Sequence, residues 1–173
     1  PRHLIQSERR LSRLYRRLSK RKKGSENRFK ARIKVARQHN KIANQRFDFL
    51  HKLSNSFAGK YSSIAVENLM IKNMVKNHHL AKHIHDASWN NFIQMLSYKA
   101  VRSGGQLIKV NPRGTSKTCS NCGTEIDMPL SKRKFKCSCG FVLHRDYNSA
   151  INIYDRAGLA RISTPVGDTV RPS

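Results

Sequence analysis

The sequence predicts an α/β fold with two additions, a basic helical hairpin at its front and a metal-bound cysteine module near its end. Three observations predict it. Two short apolar runs, 61–69 and 106–110, flank an amphipathic stretch, and that strand–helix–strand order builds a parallel pair with the helix on one face. Ahead of them, leucines recur at helical intervals inside an almost uniformly positive segment. Behind them, all four cysteines fall in two close pairs separated by fourteen residues.

Charge narrows the function classes first. The chain of 173 residues carries a net charge of +25, far beyond what solubility requires. Such a charge implies a polyanionic partner, nucleic acid ahead of an anionic membrane surface, and nothing suggests a small-molecule substrate. No apolar run approaches the roughly 20 residues of a membrane-spanning helix. A hydrophobic content of 38% allows a small core. With no signal peptide in view, the expected compartment is cytoplasmic, where thiols stay reduced. The chain opens on Pro1 rather than methionine, which leads us to expect a fragment or a processed product.

Residues 1–57 read as two antiparallel helices. Seventeen lysines and arginines fall in the first 46 residues, against Glu8 and Glu26 alone. Leu4, Leu11, Leu14 and Leu18 mark the apolar stripe of the first helix. The run Lys20-Arg21-Lys22-Lys23-Gly24-Ser25 breaks it, and Ser25 or Asn27 can cap a second helix. There Phe29, Ile33, Ala36, Ala43, Phe47 and Leu50 suggest a seam. A solvated face would carry charges of both signs. Side-by-side cations of one sign repel unless phosphates compensate, which favours a nucleic-acid backbone along Arg13, Arg16, Arg17, Lys20, Arg21, Lys22, Lys23, Arg28, Lys30, Arg32, Lys34 and Arg37. Few aromatics are interleaved, so shape and phosphate are read rather than bases.

Residues 58–114 supply the sheet. Ile64, Ala65 and Val66 form a short buried strand that ends at once in Glu67. A carboxylate there needs a cation, a divalent metal or an arginine, unless the strand is simply emerging into a loop. Residues 70–88 hold His78, His79, His83 and His85; His79 and His83 are spaced to chelate a metal, but the segment lacks apolar periodicity and reads as a solvated loop or loose helix. Ser88 is placed to cap a helix through Arg102, with Trp89, Phe92, Ile93, Leu96 and Ala100 on its apolar side and Trp89 in the core. Gly104-Gly105 ends it. Residues 106–110 form the second strand, stopped by Asn111-Pro112.

Residues 115–145 hold the pairs Cys119/Cys122 and Cys137/Cys139, each followed by a glycine that suits a tight turn. Two short cysteine loops with a spacer supply the tetrahedral thiolate set of structural zinc. Two disulfides or buried thiols are the alternative, disfavoured in a reducing compartment. The second pair has one intervening residue where two are usual, a tighter loop. Four cysteines leave no open coordination position for chemistry.

Asp146 to Asp155 reads as a helix with Ala150, Ile151, Ile153 and Tyr154 on its apolar side, ended by Gly158. Residues 159–173 read as a disordered tail. Of the ten acidic residues, Glu67 at a strand end and Asp146 at a helix start sit where a protein holds a carboxylate at a cost. Together they could bind Mg²⁺ against a phosphodiester; Asp146 could equally be an N-cap.

The sequence resembles the OrfB/TnpB proteins of insertion sequences, often named as transposases, which are RNA-guided DNA endonucleases with an RNase H-like (RuvC-type) domain. The residues that carry the resemblance are Ile64-Ala65-Val66-Glu67-Asn68-Leu69, Asp86-Ala87-Ser88-Trp89, Thr118-Cys119-Ser120-Asn121-Cys122-Gly123, and His144-Arg145-Asp146-Tyr147-Asn148-Ser149-Ala150-Ile151-Asn152. The resemblance implies a partial RNase H-like domain over 58–114 and 146–158, a zinc ribbon over 115–145, and the hairpin of 1–57 as an insertion lying against nucleic acid. It implies that Glu67 and Asp146 are the second and third nuclease carboxylates, with Mg²⁺ as catalytic cofactor and structural zinc on the cysteines. It further implies DNA and a guide RNA as partners, along with an N-terminal portion. The family's first catalytic aspartate belongs to a strand ahead of position 1.

Two functions follow. One is the C-terminal part of a transposon-encoded, RNA-guided, metal-dependent DNA endonuclease. The other is a non-catalytic, zinc-stapled nucleic-acid-binding remnant. The 173 residues alone are expected not to cut.

Overall fold

The structure is a computed structural model that describes residues 3–74, 76, 78–129 and 131–159. Among the described residues, six helices and four strands follow in the order α1 (His3–Ser19), α2 (Glu26–Lys60), β1 (Ser63–Glu67), α3 (Ile71–Met74), α4 (His78–Ala87), α5 (Trp89–Arg102), β2 (Gln106–Val110), β3 (Lys134–Lys136), β4 (Val142–His144) and α6 (Arg145–Arg156). β1 and β2 pair, as do β3 and β4. Gln106 N donates to Ser62 O and Asn68 N to Val110 O, so β1 and β2 run in the same direction, as expected for strands joined through a helix. The chain divides into two compact units, residues 1–64 with 70–107 and residues 65–69 with 108 onward. The tail expected over 159–173 falls outside the described residues from 160 on.

In the first unit α1 and α2 pack on each other. Ser25 is the N-cap of α2, its side chain accepting from Arg28 N, and α2 then runs to Lys60, past the expected 57. Leu11 is buried on α1 and Leu50 on α2 as expected, but the rest of the α2 seam is not the one expected. Val35, Gln38, Ile42, Leu50, Ser54 and Ala58 are buried, while Phe29 and Phe47 are exposed. The large aromatics suggested a phase about one residue away from the true one. Smaller residues, polar ones among them, lie at the close approach.

The second half of α2 packs on α5, and that contact supplies the cover expected of a sheet. Met95, Leu96 and Ala100 are buried there, whereas Trp89, expected in the core, is 43% exposed. Ser88 does occupy the N-cap position of α5, but at φ 51° and with no side-chain cap bond. Lys99 is buried with no carboxylate partner among the described residues. Its ammonium donates to His51 O at 2.8 Å and Ser54 Oγ at 2.8 Å, which ties α5 to α2, and burial holds its pKa below the usual lysine value. A Cβ on Gly105 would stand 2.4 Å from Ser62 O, so the chain entering β2 needs glycine for that close approach.

The histidine-rich segment is helical rather than loop, forming α3 and α4, and Ile84 and Asp86 are buried on α4. The side chains of His78, His79 and His85 lie outside the described residues, so the His79–His83 pairing does too. Asp86 is 1% exposed. Its carboxylate accepts from Leu4 N at 3.1 Å and from Arg46 Nη2 at 2.9 Å, capping the first turn of α1 and pairing with α2 at once. Removing one member of such a buried pair strands the other charge, so Asp86→Ala should cost about 3 kcal/mol in urea unfolding. A loss under about 1 kcal/mol would mean that the pair contributes little.

The second unit is built on short elements. β3 and β4 are antiparallel, with Lys134 opposite His144, Phe135 opposite Leu143 and Lys136 opposite Val142. Phe135 is fully buried and forms the centre of its core. The buried face of α6 is polar: Asn148 and Asn152 point inward, while Ala150, expected on the apolar side, is exposed.

Candidate metal centre and nucleic-acid interface

The two cysteine pairs sit on two tight turns. In the first, Gly123 N donates to Cys119 O and Cys119 N to Thr124 O, with Gly123 at φ 77°. In the second, Gly140 N donates to Cys137 O and Cys137 N to Phe141 O, with Gly140 at φ 85°. Both glycines take the left-handed conformation anticipated for them.

These turns bring the four sulfurs within 4.8 Å of one another. Cys119 Sγ lies 3.9 Å from Cys139 Sγ, and Cys122 Sγ lies 3.5 Å from Cys137 Sγ. Both separations are far longer than the roughly 2.05 Å of a disulfide. They bracket the edge of about 3.8 Å expected for a tetrahedron with Zn–S bonds near 2.3 Å. The donor set and its spacing fit zinc, and the single-residue loop of the second pair does not prevent convergence. The thiols influence one another. Hydrogen bonding with the Thr124 side chain and backbone holds Cys122 down to about 6. At Cys137 the backbone amide of Cys139 favours the thiolate, but burial and the neighbouring cysteines outweigh it and push the group up to about 11.

Glu67 ends β1 half-buried, and its Oε1 accepts a hydrogen bond from Thr115 Oγ1. Asp146 is the second residue of α6, and its side chain is 66% exposed. It is not the N-cap. That position belongs to His144, whose Nδ1 accepts from Asp146 N at 3.3 Å. The Asp146 carboxylate is therefore not consumed by capping. Among the described residues, the only group of three or more metal-binding side chains is the four-cysteine one.

In the first unit a groove of about 610 Å³ runs between α1 and α2, lined by Arg10, Arg13, Arg17, Lys34, Arg37 and Lys41 around Leu14 and Gln38. Four of the residues expected to meet nucleic acid, Arg13, Arg17, Lys34 and Arg37, share it. Arg10 and Lys41 were missed, although extending the helical spacing by one turn at each end would have found them. Arg28 has a structural task as well: its Nη1 donates to Leu18 O and Arg21 O at 3.1 Å each, closing the hairpin turn. Lys30 pairs with Glu26 at 2.7 Å. Arg16, Lys20, Arg21, Lys22, Lys23 and Arg32 are exposed and outside that groove lining.

The basic groove between α1 and α2 and the four-cysteine cluster, whose donor set fits a metal ion, define the candidate site. Comparison with known proteins makes it specific. The family model described as "Probable transposase" matches residues 1–78, and "Cas12f1-like, TNB domain" matches residues 89–153. A Streptomyces pristinaespiralis protein described as a candidate RNA-guided DNA endonuclease is 41% identical over 99% of the chain and 42% of its own length. The candidate RNA-guided DNA endonuclease InsQ of Escherichia coli K12 is 34% identical over 85% of the chain and 41% of its own length. The chain belongs to the OrfB/TnpB family of transposases and RNA-guided endonucleases. It spans about two-fifths of the length of these relatives. The fold matches one chain of a Cas12f1–sgRNA–target DNA complex with a TM-score of 0.60 at 22% identity, covering 87% of this chain and 41% of that one.

No helix among the described residues is long and apolar enough to cross a membrane.

Proposed function

We propose that this chain is the C-terminal part of a transposon-encoded, RNA-guided, metal-dependent DNA endonuclease, acting in the cytoplasm on DNA with a guide RNA. In this reading 115–145 is a zinc ribbon and β1, β2, α5 and α6 are pieces of an RNase H-like domain. The observation that carries it is the construction of the second unit, where one compact body holds the four-cysteine centre, Glu67 and Asp146. The family relationship supports it.

The oxygen donors of Glu67 and Asp146 suit a hard cation such as Mg²⁺. When bound there, that ion's chemistry is to neutralise charge on the scissile phosphate and to lower the pKa of water. The chain's own part is to present the carboxylates. Glu67 is held at the end of β1 by Thr115, and Asp146 projects from the first turn of α6, where the amide dipoles favour its negative charge. The cysteine centre has no open position and acts on shape alone.

The groove between α1 and α2 would receive the phosphate backbone. Binding of a DNA duplex by the 173-residue chain should therefore weaken linearly in log–log against salt, with a slope near −5 if the six groove cations each meet a phosphate. Arg13→Ala with Lys34→Ala should weaken binding for every sequence alike and reduce the slope by about 2. A flat salt dependence would remove the polyanion from the account. The second reading, a zinc-stapled binding module without catalysis, draws on the exposure of Asp146 and on the lack of a third carboxylate beside it among the described residues. Cleavage assays separate the two.

A further inference from the structure

Thr115 sits at a junction that the nuclease reading leaves unexplained. It is 3% exposed, although the segment around it is largely polar. Its hydroxyl donates to Glu67 Oε1, with Pro112 O 3.1 Å away. Its own carbonyl accepts from Asn152 Nδ2 at 2.8 Å, and that same amide reaches Thr118 O at 2.7 Å. One turn earlier on α6, Asn148 Nδ2 donates to Thr118 O at 2.7 Å while its Oδ1 accepts from Ser120 N at 2.9 Å. Cys119 lies between Thr118 and Ser120, and Asp146 lies two residues before Asn148. A continuous set of hydrogen bonds thus joins Glu67, α6 and the cysteine turn, all inside the second unit.

A buried threonine could serve only to close the turn from Pro112. Its hydroxyl has one proton, however, and a carboxylate is the stronger acceptor, so that proton belongs to Glu67. A glutamate at a strand end has three rotatable bonds, and leaving it free to sample them would cost rotamer entropy whenever it engaged an ion. We propose that Thr115 is a positioning residue for Glu67: it fixes the carboxylate by occupying Oε1 and leaves Oε2 to the metal ion. The proposal rests on the reading of Glu67 and Asp146 as Mg²⁺ ligands. The asparagine pair holds Thr115 in turn, so the orientation of Glu67 depends on the same backbone that carries Cys119.

The test is a Mn²⁺ titration of the zinc-loaded 173-residue chain, following paramagnetic broadening of the Glu67 and Asp146 side-chain carboxyl ¹³C signals. In Thr115→Val, a near-isostere without the hydroxyl, half-broadening of the Glu67 signal should need at least about tenfold more Mn²⁺, the usual cost of removing such a supporting partner. Thr115→Ser should restore the wild-type midpoint. Zinc content and melting temperature, which a merely structural role would move, should stay near wild type in both. A Thr115→Val midpoint equal to wild type overturns the positioning role alone. Absence of broadening at both carboxylates in the wild-type chain overturns the metal reading and this inference with it.

Discussion

Stripping the metal from the four-cysteine centre is expected to unfold residues 115–145 while α1 and α2 remain helical. Little else holds that region. β3 and β4 are three residues each, and Phe135 is the one fully buried large side chain among the region's described residues. A region this small cannot bury enough apolar surface to offset its conformational entropy. In thiolate centres of this kind the free energy of metal binding is the folding free energy, and it rivals the whole stability of a small domain. α6 should loosen as well, because Asn148 and Asn152 hold it to the turn around Cys119. Hydrogen exchange before and after a zinc chelator should show protection lost over 115–156 and retained over α1 and α2. Acid should act in the same direction, since protons compete with zinc for the thiolates. Unchanged protection after chelation would contradict the structural role of the metal.

Neutralising either carboxylate should nearly abolish cutting in a nuclease that contains this chain. Glu67→Gln and Asp146→Asn keep size and hydrogen-bonding shape but remove the negative charge that a hard cation requires. Loss of several kcal/mol of metal-dependent stabilisation corresponds to a rate reduction of roughly 10³-fold. If Glu67 and Asp146 ligate one ion as proposed, the two substitutions should not add, because losing either ligand disables that site. Nucleic-acid affinity should stay within about twofold of wild type, since the cationic groove belongs to other residues. A rate within tenfold of wild type for both variants would remove these residues from catalysis.

Much of this was legible in the sequence because it rested on local rules. Cysteine spacing, the glycines behind each pair, the Ser25 cap and the two strands all depend on neighbours a few residues away, and each appears as expected. What escaped notice depended on contacts between distant segments. Asp86 gave no local sign of being the most buried carboxylate among the described residues, since its partners are Leu4 and Arg46 on other helices. Trp89 looked like core by its chemistry but is exposed, whereas Leu96 and Ala100, expected on the same apolar side, are buried together with Met95. The seam of α2 was misplaced because large aromatics dominate a periodicity count, whereas close helix packing favoured Val35, Gln38 and Ile42. Thr115 drew no expectation, and Asn148 and Asn152 entered only as members of the motif from His144 to Asn152. Only their burial and mutual hydrogen bonds single them out, and burial of an asparagine cannot be read from its letter.

The most direct test joins this chain in frame behind the N-terminal portion of its Streptomyces pristinaespiralis relative and supplies that relative's guide RNA with matched plasmid DNA in Mg²⁺. The account predicts guide-dependent cutting that Glu67→Gln and Asp146→Asn each remove, with the 173 residues alone leaving the plasmid intact. Cutting that persists in both variants, or a folded, zinc-loaded and guide-bound chimaera that never cuts, would contradict it.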